Sequence, residues 1–220
     1  MTYAFDPAPP VALPITGSDA LFPVRRIFCI GSNYADHAAE MGNAPRRDMP
    51  TIFTKSAPAI ALSGSTIPFP SGTDDLHHEV ELVAALGPSG VFGYAVGLDL
   101  TRRDLQARAK DTRGPWDLGK DFDNSAILGP LTLAETWGLP GDQAIRLSVN
   151  GAPRQDGRLS QMIWPLPALI ATLGSLYRLQ PGDLVFTGTP AGVGPLRPGD
   201  EVQAEIDGLA PLSLRIQPSE

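Results

Sequence analysis

The sequence predicts an α+β fold that is mainly β, and three observations carry that prediction. Glycine and proline number 23 each among 220 residues, the composition of a chain that turns often. Apolar stretches are short, rich in Val, Ile, Leu and Phe, and bounded by Gly, Pro, Asn or Asp, as strands are. Helical spacing of apolar residues recurs in only a few segments. The length suits one domain with a real core, and 42% hydrophobic with 19% charged residues is ordinary for a soluble globular chain. A formal net charge of −7 argues against nucleic acid or an anionic membrane surface as the main partner. The single cysteine, Cys29, excludes an intramolecular disulfide and sits in an apolar run, as a buried core thiol would. The N-terminus shows no basic or apolar leader, and no apolar run reaches membrane-spanning length, so a cytoplasmic protein is expected.

Residues 1–22 are rich in Pro and Ala and weakly patterned, which predicts an N-terminal arm ahead of a single domain over 23–220. Val24 to Ile30 reads as a strand ending at Gly31, after which Asn33 opens a short helix from Tyr34 to Met41, stopped by Gly42. That helix places Tyr34, His37, Ala38 and Met41 on one face, with His37 and Glu40 neighbours at i, i+3. A carboxylate beside an imidazole fixes its tautomer and stabilises its protonated form, as a general base requires; an incidental surface pair has the same spacing. Gly42 to Pro50 is a polar loop suited to a mobile hinge, and Thr51 to Lys55 is a strand that presents Lys55.

Val80 to Leu86 is a strand rich in apolar residues, closed by Gly87-Pro88-Ser89-Gly90. Alternation along its approach puts Glu79 and Glu81 on one face and Val80 and Leu82 on the other. The next strand, Val91 to Asp99, alternates a bulky face (Phe92, Tyr94, Val96, Leu98) with a small one (Gly93, Ala95, Gly97, Asp99), and glycine within a strand points to a close approach on that side. A three-residue loop, Pro88-Ser89-Gly90 with Gly90 left-handed, sets Glu79 opposite Asp99 and Glu81 opposite Gly97. A four-residue loop would turn Asp99 to the wrong face. Neighbouring carboxylates on an apolar strand repel and lose hydration, which a hard divalent cation held by oxygen ligands offsets. Glu79, Glu81 and Asp99 are therefore the expected metal ligands. Zinc fits less well, because His77 and His78 point to opposite faces and no H-E-x-x-H helix is present.

A helix follows Asp99, with Thr101 as N-cap and Asp104 at capping-box spacing. Arg103, Gln106 and Lys110 share one of its faces, either close to a bound anion or as a solvated stripe. In the loop Gly114 to Asp123, Lys120 is flanked by Asp117, Asp121 and Asp123, which suits structural ion pairing or a catalytic cation equally. Ile145 to Val149 is a strand and Asn150-Gly151 a hairpin turn; Ser160 to about Leu173 reads as a helix. Leu184 to Phe186 is a buried strand leading into the glycine-rich loop Thr187 to Gly194. That loop lacks the Lys-Ser/Thr of a P-loop, but its N–H groups and the Thr189 hydroxyl could cradle a carboxylate. Val202 to Ile206 and Leu212 to Ile216 complete the sheet.

In order, the motifs are Gly31-x-Asn33-Tyr34 with His37 and Glu40, Lys55, His78-Glu79-x-Glu81-Leu82, Gly93-Tyr94-x-x-Gly97-x-Asp99, Arg103-Asp104-x-Gln106, Lys120-x-Phe122-Asp123, Val149-Asn150-Gly151, and Pro181-Gly182-Asp183-Leu184 running into Thr187-Gly188-Thr189-Pro190-x-Gly192-Val193-Gly194. From Phe22 onward this set resembles the fumarylacetoacetate hydrolase family, most closely its fumarylpyruvate/acylpyruvate hydrolase branch. The resemblance implies mixed, rolled β-sheets, a homodimer, and Mg2+ or Mn2+ on Glu79, Glu81 and Asp99. It implies cleavage of 2,4-diketo acids to pyruvate and a second acid. His37 and Glu40 would lie on a lid segment, residues 31–48, and activate water, with Lys120 and Gln106 acting on the attacked carbonyl. Lys55, Arg103 and Thr189 match substrate-binding positions.

Three departures from the family pattern stand out: Ser32 where Arg is common, Ser-Ala after Lys55 where Pro is frequent, and a short hairpin between Gly87 and Val91. The first removes a possible carboxylate anchor. The rival activity is decarboxylation or isomerisation of oxaloacetate or a related keto acid on the same metal site, which needs no activated water. A metal-stabilised binding module for keto acids is a third, non-catalytic reading.

Overall fold

The computed structural model describes residues 2–42 and 48–219. Most of its regular structure is strand, arranged in curled mixed sheets. The largest sheet runs in the order β4 (Thr51–Lys55), β3 (Arg26–Gly31), β15 (Asp183–Phe186), β8 (Val80–Gly87), β9 (Gly90–Asp99), β11 (Ala126–Leu128) and β5 (Ile60–Leu62), with β12 (Thr132–Leu133) paired to β9. A second sheet runs β14 (Ala152–Arg158), β13 (Ala144–Val149), β17 (Glu201–Ile206), β18 (Leu212–Gln217) and β6 (Thr66–Pro68). A small third sheet joins β10 (Thr101–Arg102), β7 (Leu76–His78) and β16 (Gly194–Leu196). The helices are short: α1 (Ala35–Glu40), α2 (Arg103–Thr112), α3 (Asp117–Lys120), α4 (Ala134–Trp137) and α5 (Leu166–Leu176).

The alternation read along β8 and β9 divides the core in two. Leu82, Ala84, Tyr94, Val96 and Leu98 face the second sheet, where Ile145, Leu147, Val202 and Leu214 meet them together with Leu166, Leu169 and Leu173 of α5. Val83, Ala85 and Ala95 face the other way, onto Phe186, Leu13, Ile15 and Phe22. The last three belong to a hairpin of β1 (Ala12–Ile15) and β2 (Ser18–Pro23). Part of the expected arm is thus paired and buried, because Leu13, Ile15 and Phe22 alternate inward from an otherwise exposed ribbon. The close approach expected at the small face of β9 is made by the protein itself. A Cβ on Gly97 would lie 2.5 Å from Val83 Cγ2 and 2.9 Å from Phe186 Cε1, so only hydrogen leaves room for that second core layer.

The register of β8 on β9 agrees with the expected one but is reached differently. Gly87 pairs with Gly90, so Pro88 and Ser89 alone form the turn, and Gly90 has φ +128°, outside the left-handed helical region. The odd residue appears further on as a bulge at Phe92, between the pairs Leu86–Val91 and Ala85–Gly93. Beyond the bulge Glu81 pairs with Gly97, and the Asp99 N–H donates to Glu79 O at 2.9 Å.

Three local expectations are corrected. Thr101 does not cap α2: it lies in β10, Arg102 takes the cap position, and no side chain caps that end. Asn33 does not cap α1; its buried amide donates to Trp164 O at 3.0 Å and Thr187 O at 2.7 Å and accepts the Trp164 N–H at 2.8 Å. The helix expected from Ser160 is a single tight turn, Leu159–Gln161, and α5 begins only at Leu166. Proline is tolerated in the first turn, where its missing N–H costs nothing, so Pro165 and Pro167 define the start rather than the interior. Residues 43–47 of the expected hinge and lid segment lie outside the described residues.

Candidate active site

Glu79, Glu81 and Asp99 come together at one end of the β8–β9 ladder, all buried. One oxygen from each lies within 4.8 Å of the others, a span that one cation with oxygen ligands can bridge. Two features of the donors suit such an ion. Asp99 Oδ1 is buried and accepts no hydrogen bond from a described residue, although Lys55 Nζ lies 2.9 Å away as an ion pair. An all-carboxylate set is the donor chemistry of Mg2+ or Mn2+ rather than of zinc or copper. Neither neighbouring histidine joins it: His77 Nε2 pairs with Asp75 at 3.0 Å and His78 Nδ1 with Gln155 at 3.0 Å.

Cations surround the acids. The Lys120 ammonium donates to Glu79 Oε2 at 2.8 Å, Asp99 Oδ2 at 2.7 Å and Thr101 Oγ1 at 2.7 Å. The one-turn helix α3 delivers Lys120 there, and none of Asp117, Asp121 or Asp123 is its partner; Asp121 instead accepts from the Ser56 backbone and hydroxyl. Arg103 donates to Glu79 Oε1 and, at 2.6 Å, to Gln106 Oε1, which leaves the Gln106 amide N–H groups for the cleft. Burial would raise the Glu79 carboxyl, but Lys120 and Arg103 outweigh it and hold it well below the usual carboxylate range. Glu81 runs the other way. Burial, then the charges of Asp99 and Glu79, push it well above that range, although the Gly188 N–H donates to its Oε2 at 2.6 Å. Burial would lower Lys120, but Asp99 and Glu79 keep it raised and charged.

His37 is buried on α1, not at the surface where an incidental pair would lie, and its Nδ1 is 3.1 Å from Glu40 Oε2, the i, i+3 neighbour. An ionised carboxylate can only accept, so Nδ1 carries a proton, and in the neutral ring Nε2 carries the lone pair. Glu40 is held in turn by the Gly192 N–H, at 3.0 Å to Oε1 and 3.3 Å to Oε2. The glycine-rich loop thus cradles carboxylates as its sequence suggests, but they are the protein's own Glu81 and Glu40. Thr189 Oγ1 accepts from Gln155 Nε2 at 2.7 Å, which leaves its own hydrogen free.

His37, Glu79, Glu81, Asp99, Arg103, Gln106, Lys120 and Thr189 all line one cleft, which encloses about 20 Å³. That is room for an ion or a water. Lys55 is not among the lining residues. Its ammonium is buried beneath Asp99, against Leu100 O at 3.2 Å and Lys120 O, where it neutralises a carboxylate instead of facing a ligand. Sequence reasoning passed over Phe53 and Trp116 as lining residues, and Ser32, noted there only as a departure from the family pattern, lines the cleft too. Ser32 has φ +57°, a conformation uncommon outside glycine, and nothing in its sequence neighbourhood announces it.

The chain belongs to the fumarylacetoacetate hydrolase family: the fumarylacetoacetate (FAA) hydrolase C-terminal pattern matches residues 26–217. Within that family it is similar to a fumarylpyruvate hydrolase of a Ralstonia species, 41% identical over 180 residues (76% of this chain, 93% of that one). It is equally similar to the oxaloacetate tautomerase YcgM of Escherichia coli, 41% identical over 207 residues (89% and 94%). Among solved structures, the fumarylpyruvate hydrolase of Pseudomonas aeruginosa in complex with Mn2+ and pyruvate superimposes with a TM-score of 0.95 at 46% identity, covering 99% of this chain and 100% of that one.

Proposed function

We propose that the protein is a metal-dependent hydrolase that cleaves the C–C bond of 2,4-diketo acids, fumarylpyruvate or a related acylpyruvate, to pyruvate and a carboxylic acid. The observation that carries this reading is the His37–Glu40 pair opening onto the same buried cleft as three carboxylates suited to one cation. Mg2+ or Mn2+ held by Glu79, Glu81 and Asp99 supplies Lewis acidity at the keto-acid end. His37 Nε2 takes a proton from water as the oxygen adds to the distal carbonyl, and Glu40 stabilises the imidazolium that forms. The Gln106 amide donates to the oxygen that becomes negative, with Arg103 fixing which face of that amide is free, and the Lys120 charge stabilises that oxygen electrostatically. The bond between the attacked carbon and the methylene then breaks, and its electron pair goes to the pyruvate fragment, which is protonated on release. Arg103 and the Thr189 hydroxyl bind substrate oxygens. Lys55, expected to do so, acts by holding Asp99. A cleft of about 20 Å³ must widen to admit a diketo acid, and movement of α1 provides the opening.

A second reading, tautomerisation or decarboxylation of oxaloacetate, draws on the tautomerase relative at equal identity and needs no activated water. Turnover of acylpyruvates and of oxaloacetate with Mg2+ or Mn2+, before and after chelation, separates the two. Pyruvate plus the free acid from an acylpyruvate is the expected result, lost on chelation. Turnover of oxaloacetate alone would overturn the hydrolase reading. His37→Ala should abolish hydrolysis and spare decarboxylation; equal loss of both would remove the proposed division of roles. The family resemblance carries a homodimer with it, and light scattering on the purified chain tests the oligomeric state. No helix among the described residues is long and apolar enough to cross a membrane.

A further inference from the structure

We propose that Lys110 anchors a second carboxylate at the acyl end of the substrate, so that the site selects diketo acids bearing acid groups at both ends. This rests on the acylpyruvate reading and extends it to the distal group.

Lys110 lies two turns along α2 from Arg103, on the face that carries Gln106, and it lines the cleft with them. The other cations at the cleft are already committed. Lys120 and Arg103 pair with Glu79, and Lys120 and Lys55 with Asp99. Lys110 has no carboxylate partner among the described residues; its ammonium lies by the Trp116 ring, with Nζ 5.4 Å from the centroid. It is half-buried, and burial, followed by the Arg103 charge, pushes its pKa down. An unpaired, partly desolvated ammonium is costly, and an arriving anion would offset that cost.

The charges point the same way. Lys55, Arg103 and Lys120 balance Glu79, Glu81 and Asp99, so a divalent ion adds two positive charges and Lys110 a third, against the single charge of Glu40 beside His37. A keto-acid carboxylate compensates only one of these. The wall that connects the two ends is aromatic: Lys120 Nζ lies 5.0 Å from the Phe53 centroid, Phe53 lies 5.7 Å from Trp116, and Trp116 carries Lys110. A flat, conjugated acyl chain lies along such a wall, and a carboxylate at its end arrives at Lys110.

The test compares Lys110→Met and Lys110→Arg with the parent on fumarylpyruvate and on acetylpyruvate, whose acyl end is neutral. Lys110→Met should raise KM for fumarylpyruvate about tenfold to hundredfold, with kcat nearly unchanged and acetylpyruvate unaffected. Lys110→Arg should retain the preference. Equal effects on both substrates, or a fall in kcat alone, would overturn the proposal. Calorimetric titration of the Mn2+-loaded protein with 2-oxoheptanedioate and 2-oxoheptanoate gives a readout independent of turnover. The parent should bind the diacid more tightly, and Lys110→Met should erase the difference. If the parent cleaves no acylpyruvate, the hydrolase reading fails, yet this matched pair still decides the role of Lys110. An unchanged difference in Lys110→Met, or no difference in the parent, would sink it. Lys110→Gln serves if the Met variant lacks a cooperative melt.

Discussion

The Glu40 carboxylate accepts the Gly192 N–H at 3.0 Å, which joins the helix that carries His37 to the loop that also holds Glu81. Gly192 has φ +96°, and a Cβ there would lie 2.1 Å from Arg154 O. Gly192→Ala should therefore cost about 1–3 kcal/mol in urea unfolding and release Glu40. Hydrolysis should fall while Mn2+ affinity stays close to that of the parent. A stable variant with full activity would show that the tether does not matter.

Glu81 is the member of the triad whose charge the metal-free fold resists. Glu81→Gln resembles its protonated form and keeps an acceptor for the Gly188 N–H. The apo variant should melt within a few degrees of the parent, by about the shift that 1 kcal/mol gives in a domain of this size. The rise in Tm that Mn2+ produces in the parent should disappear. A retained rise would mean that two carboxylates suffice.

The same group sets the pH dependence. In the metal-free fold Glu81 keeps its proton at pH values where the unfolded chain has lost it, so the unfolded state binds fewer protons there. Stability from this group is full below the ordinary carboxyl pKa and falls as pH rises through the raised one. Glu79 has the opposite sign: its contribution is full above the ordinary value and is lost as pH falls through the depressed one. Metal binding must displace the proton that Glu81 holds, so affinity should rise with pH and binding should release protons. Titrations in two buffers of different ionisation enthalpy measure that release; identical heats in both would contradict it.

Lys55 pairs with Asp99 in a fully buried setting. Lys55→Met leaves Asp99 Oδ1 buried without its cation, with Lys120 holding only Oδ2, and should cost about 3–5 kcal/mol in chemical denaturation, with KM little changed in the molecules that remain folded. A raised KM at parental stability would return Lys55 to the substrate.

How much of this was legible in the chain depends on whether a side chain's role follows from its own strand. The triad was legible because period-two alternation fixes faces, and the register needed only one odd residue somewhere beyond the tip. The His37–Glu40 pair followed from helical spacing. The fates of Asn33 and Lys55 could not be read, because their partners, Thr187 and Trp164 in one case and Asp99 in the other, are brought in by strand order. The aromatic wall was hidden for the same reason. Phe53 and Trp116 meet across a sheet edge and a loop, and neither segment alone implies a cleft. The displaced start of α5 was available in principle, since two prolines mark a first turn.

The bulge at Phe92 has a consequence for how this hairpin tolerates change. Because the surplus residue is absorbed two pairs below the tip, Pro88 and Ser89 can be exchanged, and the tip rebuilt, without rotating any acid out of the cleft. Removing the surplus residue itself would invert every side chain from Gly93 to Asp99, exchanging core for ligand in a single deletion.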